Sequence, residues 1–127
     1  MDNNTNALNW FEIPASDINR ARKFYEAIFE IEMNELPLGE LKMVTFPYSP
    51  GSGRVSGALI QHEIYEPMPN GVLVYLNANP EIQAVIDRIE RAGGTVQIPK
   101  TQISPDIGYM SVFVDTEGNR VALHAQN

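Results

Sequence analysis

The chain has 127 residues, 43 % hydrophobic and 20 % charged, and its 9 Lys+Arg against 16 Asp+Glu give a formal net charge of −7. Such a length and balance suit one globular domain with its own core, while the acidic surplus argues against a phosphate-backbone partner, which requires clustered cations. The lack of cysteine excludes disulfides, thiolate zinc sites and a cysteine nucleophile.

No apolar run approaches the roughly 18 residues of a membrane span. The start, MDNNTNALNW, has neither the basic region nor the apolar core of an export signal. A cytoplasmic address is expected, with neither nucleic acid nor membrane as partner.

After six polar residues, Leu8 to Pro14 reads as a strand. Its alternation puts Phe11 and Ile13 towards a helix layer and Trp10 and Glu12 together on the other side. Ser16-Asp17 is an N-cap pair opening a helix from Ile18 to Phe29, whose Ile18, Ala21, Tyr25 and Ile28 make one buried stripe. Ile31 to Leu36 and Leu41 to Tyr48 read as a strand pair, residues 49–53 as a loop, and Val55 to Gln61 as a further strand. Residues 63–70 contain two prolines and read as a linker.

The pattern then starts again. Val72 to Ala78 is a strand, Asn79 an N-cap with Pro80 at the first helical position, and Ile82, Val85, Ile86 and Ile89 the helix stripe, ended by Gly93-Gly94. Thr95 to Ile98 is a strand and residues 99–107 a loop. A hairpin closes the chain, its two apolar runs flanking Asp115-Thr116-Glu117-Gly118-Asn119 with Gly118 in the left-handed position. In its second strand Val121 and Leu123 share one face, and Ala122 and His124 the other.

This order is an internal duplication of a βαβββ unit, one module over about 7–62 and the other over about 71–126. The second helix follows the first at an offset of 62 residues, and Gly53-Arg54-Val55-Ser56 echoes Asn119-Arg120-Val121-Ala122. The expected fold class is α+β, with the two modules forming a curved, partly closed eight-stranded sheet around a cleft. Concave sheet faces meeting there would hold a small organic ligand.

The pattern resembles the vicinal oxygen chelate superfamily of glyoxalase I, bleomycin-resistance proteins and extradiol dioxygenases. The resemblance is carried by Phe11-Glu12-Ile13-Pro14 with Asp17, by Arg22-Lys23-Phe24-Tyr25, and by the Asp115–Asn119 turn with the Arg120-Val121-Ala122-Leu123 run. Metal-dependent members hold a divalent ion with His, Glu or Gln from four strands. The matching positions here are Trp10, Ser56 or Gly57, a position near Leu73, and Ala122, none of them a good ligand. A shift of one or two residues would bring in Glu12, Gln61 or His124, but all would have to shift together. The expectation is therefore no metal and no cofactor.

Strand parity and the resemblance together suggest a cleft set. Trp10 and Tyr75 are aromatic walls, Glu12 and His124 are acid/base candidates, and Lys100 lies over the mouth to attract an anion. For each there is a structural alternative: a plugged core for the aromatics, an ion pair with Lys100 or an arginine for Glu12, a hydrogen-bonded surface histidine for His124, and a plain surface lysine for Lys100. Two functions follow, a small-molecule-binding protein or a lyase/isomerase-type enzyme working through Glu12 or His124. Relatives of this kind pair, and open sheet edges favour a homodimer.

Overall fold

The computed structural model describes residues 1–127. It comprises β1 (Trp10–Pro14), α1 (Ile18–Phe29), β2 (Asn34–Glu35), β3 (Lys42–Thr45), β4 (Ser56–Gln61), β5 (Tyr75–Asn77), α2 (Ile82–Ile89), β6 (Thr95–Ser104), β7 (Gly108–Val114) and β8 (Arg120–Ala125). The strands form two four-stranded sheets, ordered β1-β4-β3-β2 and β5-β8-β7-β6. The tandem βαβββ architecture is present. No strand of one sheet pairs with a strand of the other, so there is no closed barrel.

The duplication extends to individual hydrogen bonds. Ala15 donates its N–H to Ile60 O and Ala78 donates its own to His124 O, both at 2.8 Å. Glu12 lies beside Ala58 in the first sheet, as Tyr75 lies beside Ala122 in the second. The helices start 64 residues apart, at Ile18 and Ile82. The expected offset of 62 took Asn79 as the second cap, whereas Glu81 fills it, accepting the Gln83 N–H. The echo of Gly53–Ser56 in Asn119–Ala122 is likewise two residues out of register with the structural match of Ala58 to Ala122.

Other boundaries moved for physical reasons. β6 continues through Pro99 to Ser104, where a loop was expected. It is the outermost strand, and its pairing with β7 breaks register in three places. A proline is tolerated where the ladder is bulged or faces outward. β2 shrinks to two residues, because Met33 is drawn into the core and its N–H is taken by Glu26 Oε1 at 2.9 Å.

One continuous core joins the modules. Ile13, Val44 and Leu59 of the first sheet, the inner stripes of both helices, and Leu76, Phe113, Val121 and Leu123 of the second all belong to it. Phe24 and Tyr25 of α1 reach Phe113 across the junction, with ring centroids 5.8 and 6.4 Å apart. Arg88 of α2 donates to Ile28 O at 2.7 Å and stitches the helices together. Both sheets turn their helix-bearing faces to this core, so their outer faces point away from it.

Gly94 and Gly57 are needed for close approach. A Cβ at Gly94 would lie 2.7 Å from the Phe24 ring, and one at Gly57 2.5 Å from Phe11 O. Gly118 serves instead for its φ of 92°, as expected for the last turn.

Candidate functional site

Three places compete for function: the two outer sheet faces and a groove between the modules. On the first outer face Trp10 and Glu12 stand together, as alternation requires, beside the buried Met43, Ala58 and Ile60. Tyr65, from the segment after β4, folds over this face, joined by Leu36 and Leu41. The Glu12 carboxylate beside it, and to a smaller extent burial, push the Tyr65 phenol above its ordinary pKa. Trp10 packs edge-on against Tyr48, with centroids 5.9 Å apart. At the end of this face a polar hollow of about 590 Å³ is lined by Lys42, His62, Glu63 and Tyr65 among others.

The second outer face is barer. Tyr75 is 50 % exposed and Ile98 41 % exposed, while Val112 and Ala122 lie buried between their neighbours. His124 is half-buried, and its Nε2 lies 2.7 Å from Ile107 O. A carbonyl oxygen can only accept, so Nε2 carries the proton and Nδ1 is left as the basic nitrogen.

Lys100 lies elsewhere. The extension of β6 carries it to the helix side, where its Nζ sits 4.5 Å from the centroid of the Tyr109 ring and 3.0 Å from Glu81 Oε1. Tyr109 packs on the shared core, so Lys100 is not on the face of Tyr75 and His124. One chain thus brings Trp10 and Glu12 together on one sheet, and Tyr75 and His124 on the other.

A hollow of about 950 Å³ opens between the modules. Phe11, Phe29 and Phe46 line one side, and Leu76, Ala84 and Val85 the other. Of the five proposed site residues, only Tyr75 reaches it.

The Asp115–Asn119 turn does more than reverse the chain. Asp115 is 5 % exposed and accepts from the Tyr25 hydroxyl at 2.7 Å, from the Glu117 and Asn119 N–H groups at 2.9 Å, and from Asn119 Nδ2 at 3.0 Å. Burial, and then the Asp115 carboxylate, push the Tyr25 phenol well above its ordinary pKa. Asn119 Nδ2 also donates to Pro14 O at 2.7 Å, and its Oδ1 accepts the Met68 N–H. Glu117, whose side chain is fully covered, accepts the Asp17 N–H at 2.8 Å and two bonds from Arg20 at 2.7 and 3.0 Å. Burial raises the Glu117 pKa, but the Arg20 and Asp17 bonds outweigh it and hold the group below the ordinary carboxylate value.

This turn therefore joins module to module through buried polar groups. The sequence reading stopped at the turn's backbone geometry. The available signal was two carboxylates and an asparagine packed into five residues, more acceptors than a hairpin needs.

Tandem βαβββ modules of this kind define a class of small α+β proteins, and the comparisons give the family. The model of the Glyoxalase/Bleomycin resistance protein/Dioxygenase superfamily matches residues 7–123, and the chain belongs to that superfamily. It is 28 % identical over 123 residues to a glyoxylase-like domain-containing protein of Didymella fabae, covering 91 % of each chain. It is 30 % identical over 131 aligned positions to the putative glyoxylase CFP32 of Mycobacterium bovis, covering 94 % of this chain but only 45 % of the relative. The chain therefore spans less than half of that mycobacterial protein. A glyoxalase/bleomycin resistance protein from Albidiferax ferrireducens superposes with a TM-score of 0.71 at 17 % identity, covering 96 % of this chain and all of the other.

The superfamily's metal-dependent members imply an ion, and the donor set can be tested against it. Trp10, Leu73, Ala122 and its structural match Ala58 offer no lone pair suited to a divalent ion, and Ser56 is a weak donor already directed at the Phe46 and Pro47 carbonyls. No group of three or more His, Asp or Glu side chains in the chain is gathered closely enough to hold one. The residues of a single chain do not fit the usual centre. No helix is long and apolar enough to cross a membrane.

Proposed function

We propose that the protein is a small-molecule-binding member of its superfamily that works without the family's metal centre. The ligand lies between two copies, with the Trp10–Glu12 face of one opposite the Tyr75–His124 face of the other. One observation carries this reading: the shared helical core turns the two outer faces away from each other, leaving aromatic and polar side chains on both that no other sheet of the chain covers. A homodimer supplies the missing wall, and the two ends of the chain's duplication then serve one site.

On this reading Trp10 and Tyr75 are the apolar walls, and Glu12 with Tyr65 and His124 are the polar points that orient the ligand. Trp10 is the sole tryptophan, so intrinsic fluorescence reports on the site directly. In a screen of small organic compounds, ligands are expected to quench or shift Trp10 emission and to raise the melting temperature. Tyr75→Ala should lose both effects. Hits that survive Tyr75→Ala unchanged would refute the two-copy site, and purified protein carrying stoichiometric divalent metal would refute the metal-free one.

A second reading rests on the geometry at His124, where the Ile107 carbonyl leaves Nδ1 as a base. With Glu12 opposite, that base could move a proton next to a carbonyl in a lyase- or isomerase-type reaction. Turnover of an identified substrate that is lost in both Glu12→Gln and His124→Ala would favour it over simple binding.

A further inference from the structure

The groove between the modules borders the second outer face at Tyr75, and its chemistry is more specific than its size. Phe11 and Phe46 stand with ring centroids 5.6 Å apart at an angle of 45°, forming an aromatic wall. Phe29, at the end of α1, is only partly covered, and Leu76 and Val85 form the opposite wall from the second module. At about 950 Å³ the hollow lies at the upper end of the range for organic-ligand sites.

The charges at its rim are already committed. Arg88 gives its Nε–H to Ile28 O and has Glu30 at 3.5 Å. Glu81 is paired with Lys100 at 3.0 Å. Neither a free cation nor an unpaired buried carboxylate remains for an ionic ligand, which would lose hydration on entry without recovering it. Two lining groups keep a free donor, the Tyr75 hydroxyl at the rim and the Asn77 amide. Its Oδ1 accepts from both the N–H and the Nδ2 of Asn79, at 2.9 and 2.8 Å, while its own Nδ2 makes no bond within the chain.

From these groups we infer that the groove is a second binding site, for an uncharged aromatic molecule bearing a hydrogen-bond acceptor such as a carbonyl. The rings stack on or against the phenylalanines, and the acceptor meets Asn77 Nδ2. The site adjoins the two-copy cleft along β5, where Tyr75 lines it and Asn77 pairs with His124, but it uses neither Trp10 nor Glu12 and is walled by the helices.

Nile red, uncharged, aromatic and carrying a carbonyl, is a suitable probe, and anilinonaphthalene sulfonate is its anionic counterpart. Nile red should bind saturably at one molecule per chain, with the sulfonate much weaker. Ala84 is exposed on α2 and lines the groove, so Ala84→Trp fills the hollow without entering the core. It should weaken Nile red by about tenfold or more with an unchanged melting curve.

Should Ala84→Trp fold poorly, Asn77→Asp, at an exposed strand position, replaces the donor with an acceptor and should also weaken the probe. Unsaturable binding, equal affinity for the sulfonate, or wild-type affinity in a folded variant would overturn the inference. A change in the number of copies per particle on Ala84→Trp would also overturn it, since the groove would then be a subunit contact.

Discussion

The two modules are the same unit drawn twice, and they differ most at two matched places. After β3 the first module has an open loop, where Gly51 and Gly53 take positive φ and a Cβ on either would meet nothing. After β7 the second has the Asp115–Asn119 turn, whose carboxylates are buried and bonded to the first module. The outer faces differ in the same spirit. The first is partly closed by Tyr65 and carries a carboxylate at Glu12. The second presents Tyr75 at the equivalent position, half exposed. Duplication thus supplied two copies of a scaffold, of which one gained the joint and the other gained the polar pocket.

The comparison breaks most severely at Asp115. Asp115→Ala strands the Tyr25 hydroxyl and several N–H groups in the interior, and should cost about 3–5 kcal/mol in denaturant unfolding. A substitution in the matched loop, such as Ser52→Ala, should stay within about 0.5 kcal/mol. Equal effects at the two sites would mean that the turn is not the joint.

Glu117→Gln comes next, at about 1–3 kcal/mol, because the covered side chain holds the Asp17 N–H as well as the half-exposed Arg20. The sign of its pH dependence follows from the lowered pKa. The unfolded chain binds the proton more readily, so the contribution is present at neutral pH and is lost as pH falls from about 5 downward. Melting temperatures taken from pH 7 to pH 3 should fall more steeply for wild type than for Glu117→Gln.

The outer faces call for milder changes. Ile98→Glu on the bare face should leave monomer stability within about 0.5 kcal/mol but abolish the proposed pairing of two copies in sedimentation equilibrium. Glu12→Gln on the other face removes the charge beside Tyr65, so ultraviolet titration should show that phenol ionising at lower pH than in wild type. Smallest of all, Lys100→Ala breaks a partly exposed pair with Glu81 and should cost less than about 1 kcal/mol, measured by thermal unfolding.

Much of this fold was legible in periodicity. The helix stripes of Ile18–Ile28 and Ile82–Ile89 and the parity of Trp10 with Glu12 came through because burial on one face imposes a period that no other arrangement satisfies. The strand through Pro99 did not, since proline usually ends a strand and only the position of β6 at the sheet edge permits it. That error also displaced Lys100 from the cleft set. The contacts that join the modules were less legible: amphipathic sheets and helices specify that their apolar faces must be covered, but not by which side chains of the neighbour. Contacts such as Tyr25 with Asp115, 90 residues apart, and Asn119 with Pro14 reveal the choice.

Because the chain has no cysteine, single thiols can report on how two copies meet. Glu12→Cys protein mixed with Tyr75→Cys protein and treated with a short bismaleimide should give a covalent pair linking position 12 of one copy to position 75 of the other. Formation of that mixed pair, with little 12-to-12 or 75-to-75 product, is the predicted result. A mixture that stays monomeric, or that links only like positions, contradicts a site shared between the two outer faces.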